Sequence, residues 1–130
     1  MIQLESLTLG YGQQVLLERV SASLDGGGLI ALLGRNGSGK STLLRATAGL
    51  GKIKSGRILL AGKDLAGLRP EELARTVSFV TTEKVRIPSL KCRDVVALGR
   101  APYTNWVGRL QPRDREIVDK SLALLDMSTY

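Results

Sequence analysis

Histidine is absent from this 130-residue sequence, and cysteine occurs once, as Cys92. One thiol allows no internal disulfide, and without imidazoles or further thiols a zinc site has no donors. Cys92 has no partner base either, so a half-buried packing role is expected rather than nucleophilic chemistry. Aromatic side chains are few, at one Trp, three Tyr and one Phe, too sparse for a stacking platform along single-stranded nucleic acid. No apolar run approaches the roughly 18 residues of a membrane span, since the stretch 29–33 meets Gly34 at once. The start, Met1-Ile2-Gln3-Leu4-Glu5, lacks the basic residues and apolar core of a secretory leader, so a cytosolic location is expected. Acidic residues number 12 against 19 Lys and Arg, a net charge of +7. Eight of those cations lie between Lys84 and Arg115, facing only Asp94 and Asp114. Such diffuse charge suits a solvated face balanced by an acidic neighbour, and no nucleic-acid partner is expected.

What the chain does have is Gly34-Arg35-Asn36-Gly37-Ser38-Gly39-Lys40-Ser41-Thr42, a full match to the phosphate-binding pattern Gly-x-x-x-x-Gly-Lys-Ser. Its context fits the chemistry. Residues 29–33 read as a short buried strand before it, and residues 41–50 as a helix after it. Glycines let successive N–H groups curl around phosphate oxygens, and the helix N-terminus adds its positive dipole end. In that pattern Lys40 reaches the β- and γ-phosphates and Ser41 ligates Mg²⁺.

Elsewhere, residues 2–10 alternate in the manner of an antiparallel strand, and 11–14 form a turn. More strand follows at 15–17 and 20–24, then a tight turn at 25–28. Gly49-Leu50-Gly51 stops the first helix. A strand at 57–60 turns at 61–64. A short helix follows over 69–75, with Pro70 at its first position. Residues 77–80 read as a buried strand, 81–88 as an irregular connection, and 90–98 and 113–125 as helices.

This order resembles the N-terminal part of an ABC-transporter ATPase, the nucleotide-binding subunit of a membrane pump, across essentially the whole chain. The resemblance implies an α/β P-loop NTPase fold: an antiparallel β subdomain, the start of a parallel core sheet and the start of a helical subdomain. It divides the chain into 1–82, β subdomain and phosphate-loop core, and 83–130, the opening of the helical subdomain. It also implies ATP and Mg²⁺ as cofactors, with Gly34, Asn36, Gly37, Ser38, Gly39, Lys40, Ser41 and Thr42 at the phosphates. Tyr11 stands where the family places a ring that stacks on adenine. The stretch Leu98-Gly99-Arg100-Ala101-Pro102-Tyr103 looks like one found in importers of iron-siderophore, haem and cobalamin type. Implied partners are integral-membrane permease subunits, a second ATPase copy and, indirectly, a substrate-binding protein, with the chain peripheral on the inner face of the membrane.

One departure concerns Thr82, which occupies the place of the family's glutamine that touches Mg²⁺ and the attacking water. Its hydroxyl is able to ligate Mg²⁺ but is much shorter. Glu83 would set a negative charge beside phosphates and is the weaker candidate. The family's Leu-Ser-Gly-Gly-Gln signature, its apolar strand ending in Asp-Glu and its switch histidine have no counterpart in these residues. Leu122-Ala123-Leu124-Leu125-Asp126 mimics that strand, yet it continues a helical pattern and Met127 follows. Phosphate cradling is thus expected from this truncated portion, and hydrolysis by it alone is not. An exposed sheet edge and poor stability are expected with it. Two rival readings stand beside this one: another phosphate-loop enzyme such as a small-molecule kinase, and a non-catalytic module that binds nucleotide or permease.

Overall fold

The computed structural model describes residues 1–82, 89–104 and 108–127. Two compact units divide the chain, Met1–Phe79 and Val80–Tyr130. Glu83 and Trp106 lie outside the described residues.

The first unit is built on an antiparallel sheet. Strand β1 (Ile2–Tyr11) pairs with β2 (Gln14–Leu24) on one side and β3 (Ser55–Leu60) on the other, and a short β4 (Lys63–Asp64) closes the order β2-β1-β3-β4. The apolar period of β1 jumps from Leu4 to Leu7, and there the register slips against β2. Ser6 takes a positive φ of 45° at the slip, a bulge that returns Leu7 and Leu9 to the same face as Leu4. Donors near the bulge find side chains: Ser6 N–H donates to Ser21 Oγ (2.9 Å) and Arg19 N–H to Thr8 Oγ1 (3.2 Å). Gly56 faces this stretch with φ 81°, and a Cβ there would stand 2.4 Å from the Ser6 carbonyl oxygen.

Helix α1 (Lys40–Thr47) lies against β1, burying Ala46 with Leu4, Leu7, Leu9 and Ile58. Each fully buried aliphatic side chain contributes about 1.5–3 kcal/mol. The helix ends as the Gly49 signal predicts: Gly49 N–H donates to Ala46 O (3.0 Å) and Leu50 N–H to Arg45 O (2.8 Å), with Gly49 at φ 73°. Ala61 and Gly62, both at positive φ, form the two-residue link between β3 and β4. Helix α2 (Pro70–Thr76) begins at Pro70 as expected, and the Glu72 carboxylate accepts the Arg69 N–H (3.1 Å).

Two sequence expectations need correction. Residues 29–33 and 77–80 form no strand, and they are open rather than buried, with Leu29, Leu33 and Val80 almost fully exposed. An apolar run becomes a strand only when a neighbour takes its N–H and C=O groups. Among the described residues none does.

In the second unit α3 (Cys92–Leu98) packs on α4 (Pro112–Ala123), burying Val118 and Leu122. Both helices open on the same device: Asp94 accepts the Lys91 N–H (3.1 Å) and Asp114 the Gln111 N–H (3.0 Å). Residues 124–126 close α4 in turns, with Asp126 at φ 54°. Cys92 is half-buried and free. Among the described residues no helix is long and apolar enough to cross a membrane.

Candidate functional site

The phosphate loop runs from Gly34 into α1, and its glycines set its shape. Gly37 and Gly39 have φ values of 81° and 87°, a region that L side chains enter only under strain. Gly39 is the N-cap of α1, and no side chain caps the helix and no acid sits in its first turn. Its free N–H groups and positive dipole end therefore face an open position suited to an anion. Within the loop, Ser38 N–H donates to Arg35 O (3.2 Å) and Leu43 N–H to Gly39 O (2.8 Å). The Lys40 ammonium donates to Gly34 O (2.8 Å) and Arg35 O (2.7 Å). The cation is thus bonded back to the loop's own backbone.

The donor set fits a polyphosphate. It combines one ammonium, a series of backbone N–H groups and the hydroxyls of Ser38, Ser41 and Thr42, with no carboxylate among them. Among the described residues no cluster of three His, Cys, Asp or Glu is available to hold a metal. A hard cation here would thus depend on the Ser41 hydroxyl and on oxygens that the phosphates bring.

Tyr11 ends β1 at the hairpin tip, 63% exposed, its hydroxyl 3.4 Å from Thr42 Oγ1. The base-stacking candidate and the phosphate loop thereby meet on one side of the first unit. Beside the ring lies a cavity of about 390 Å³ lined by Gly10, Tyr11, Gly12, Thr42, Arg45 and Lys52. Thr82 belongs to the second unit and is exposed.

Among the described residues of the second unit Asp114 is the buried charged group, 5% exposed. Its carboxylate accepts the Gln111 N–H and the Arg100 guanidinium (Nε 2.9 Å, Nη2 2.8 Å), and these, the backbone bond first, hold its pKa below the ordinary carboxylate value. Arg100 also stacks over Tyr103, 4.0 Å from the ring centroid. The sequence flagged this stretch by likeness alone, and the structure gives its arginine two definite partners. Sequence reasoning missed Lys54, whose ammonium donates to Gly12 O (2.5 Å) at the tip that carries Tyr11.

Residues 17–129 match the family model described as "ABC transporter". An uncharacterized ABC transporter ATP-binding protein of Methanocaldococcus jannaschii, MJ0873, is 40% identical over 121 residues, covering 93% of this chain and 42% of that protein. The petrobactin import ATP-binding protein FpuC of Bacillus anthracis is 30% identical over 130 residues, or 100% of this chain and 48% of the relative. The sulfate/thiosulfate import ATP-binding protein CysA 1 of Chromobacterium violaceum is 38% identical over 126 residues, 97% of this chain and 34% of the relative. The crystal structure of a nucleotide-free ATP-binding cassette from an ABC transporter superposes with a TM-score of 0.77 at 26% identity, covering 98% of this chain and 55% of that one. The chain thus spans less than half the length of these curated relatives. With the loop, its flanking elements and these likenesses in agreement, the chain belongs to the ABC transporter family, in its ATP-binding part.

Proposed function

We propose that this chain binds ATP with Mg²⁺ as part of the nucleotide-binding subunit of an ABC importer, peripheral on the inner face of the membrane. The observation that carries the reading is the Lys40 ammonium, held between the Gly34 and Arg35 carbonyls at the uncapped start of α1. Gly34, Asn36, Gly37, Ser38 and Gly39 shape the cradle, Thr42 lines it, and Tyr11 offers a ring to adenine. Ser41 would hold Mg²⁺, which would supply charge neutralisation at the phosphates. Residues 1–82 then serve as the β subdomain and phosphate core, and 83–130 as the opening of the helical subdomain. A second copy of the subunit and integral-membrane permease subunits complete the working assembly.

For the cargo we propose an iron chelate of siderophore type, or haem or cobalamin. Two observations support that class: the stretch from Leu98 to Tyr103, and a petrobactin importer among the relatives. The sulfate/thiosulfate relative is the competing assignment. Uptake of iron chelate and of sulfate, compared in source cells with and without the gene, separates the two, and loss of sulfate uptake alone would reject the iron-chelate class.

The nucleotide claim is tested by Lys40→Ala. Charge-assisted hydrogen bonds contribute about 1.5–3 kcal/mol each. Because the lysine gives up carbonyl bonds as it takes phosphate oxygens, about one such contribution is left net, and its replacement should weaken ATP binding by at least about 10-fold. Equal affinity for ATP in the variant and the parent, by calorimetry, removes the reading.

A further inference from the structure

Lys54 carries no pattern in the sequence, and it lies 42 residues from the glycine it contacts. Its backbone N–H donates to Thr8 O (2.9 Å), fixing it beside β1 just before β3 begins. From there its side chain runs toward the hairpin tip, and the ammonium donates to Gly12 O (2.5 Å). The path crosses Gly10: a Cβ on Gly10 would stand 3.0 Å from Lys54 Cε and 2.0 Å from Gln14 O. One lysine thus contacts the residues on both sides of Tyr11. Gly12 itself has a positive φ of 53° at the first central position of the two-residue loop between Tyr11 and Gln14. A turn so short and glycine-flanked has little of its own to hold the orientation of the exposed Tyr11 ring.

We propose that Lys54 is a positioning residue for the nucleobase end of the site: by tying Gly12 O to the edge of β3, it fixes the Tyr11 ring in the pose that receives the base. This rests on the ATP-binding reading above. The hairpin tip is thus tethered through Lys54 to the start of β3, and its Tyr11 hydroxyl lies 3.4 Å from Thr42 Oγ1 of α1. A ring whose turn is tethered in this way loses less freedom when a base stacks on it, which favours binding.

The test compares ATP with inorganic tripolyphosphate, which lacks the base, by calorimetry on the intact protein in the absence of Mg²⁺. Lys54→Met should weaken ATP about three- to ten-fold and leave tripolyphosphate unchanged, while Lys54→Arg, which keeps a donor of sufficient reach, should restore ATP affinity. Unchanged ATP affinity in Lys54→Met overturns the proposal, and so does an equal loss for both ligands. If Lys54→Met gives no cooperative melt, Lys54→Gln is measured in its place with the same criteria. A parent protein that binds neither ligand would instead overturn the nucleotide reading beneath.

Discussion

Replacing Gly37 by alanine isolates how much of the phosphate site depends on backbone shape. Gly37 has φ 81°, and a Cβ there would meet nothing within 4 Å, so no clash contributes. What remains is the intrinsic cost of a left-handed conformation for an L-residue, about 1–2 kcal/mol. Because the loop is exposed and unpacked at this point, the empty variant relaxes to a negative φ and keeps its stability. Ligand must then recover the wound form, so the strain appears in affinity. The expected loss is about 5- to 30-fold for ATP, and as much for tripolyphosphate, since the phosphates sense the loop. Gly27→Ala is the control. Its φ is 91° and its surroundings are equally empty, but it lies in the turn before the loop, so the same backbone cost should leave affinity unchanged. Calorimetric titration of both variants decides. Parent-like ATP affinity in Gly37→Ala, or an equal loss in Gly27→Ala, would refute the argument.

Two further outcomes are expected. Tyr11→Ala removes a base-stacking surface of about 1–3 kcal/mol and should weaken ATP about 5- to 150-fold while sparing tripolyphosphate; an equal loss for both ligands would deny Tyr11 its role at the base. Asp114 is held ionised in the fold, so its contribution is fully present above the ordinary carboxylate pKa and is lost as pH falls through its lower folded value. Thermal melts should therefore be insensitive to this group from pH 7 to 5 and should fall below about pH 4, and Asp114→Asn should remove part of that acid dependence.

How much was legible depends on how local the signal is. The loop from Gly34 to Thr42, the starts of α1 and α2, and the hairpins at Gly12 and Gly62 were readable because each is set by residues within a few positions. Even the bulge at Ser6 was implicit in the shift of phase from Leu4 to Leu7. Residues 29–33 and 77–80 show the limit. Their composition gives strand propensity, but pairing depends on what lies alongside, and period alone is silent on that. Lys54 shows it again, for a lysine before Ser55-Gly56 signals nothing until the sheet brings β3 beside β1. Asp114 was read as one acid in a basic stretch, and only the packing of α3 and α4 reveals it as a buried partner of Arg100.

The lysine inside the empty phosphate loop has a consequence for selectivity. Gly34 O and Arg35 O already accept from its ammonium, so one of its three N–H groups is left for an arriving anion, and any further bond to the lysine displaces a carbonyl. A small monoanion would gain little beyond that single bond. On the proposed reading, a chain of linked phosphates would engage the lysine, the N–H groups and the hydroxyls together, and the exchange would then turn in its favour. On the same reading, the carbonyls would thus favour anions that come joined over single ones.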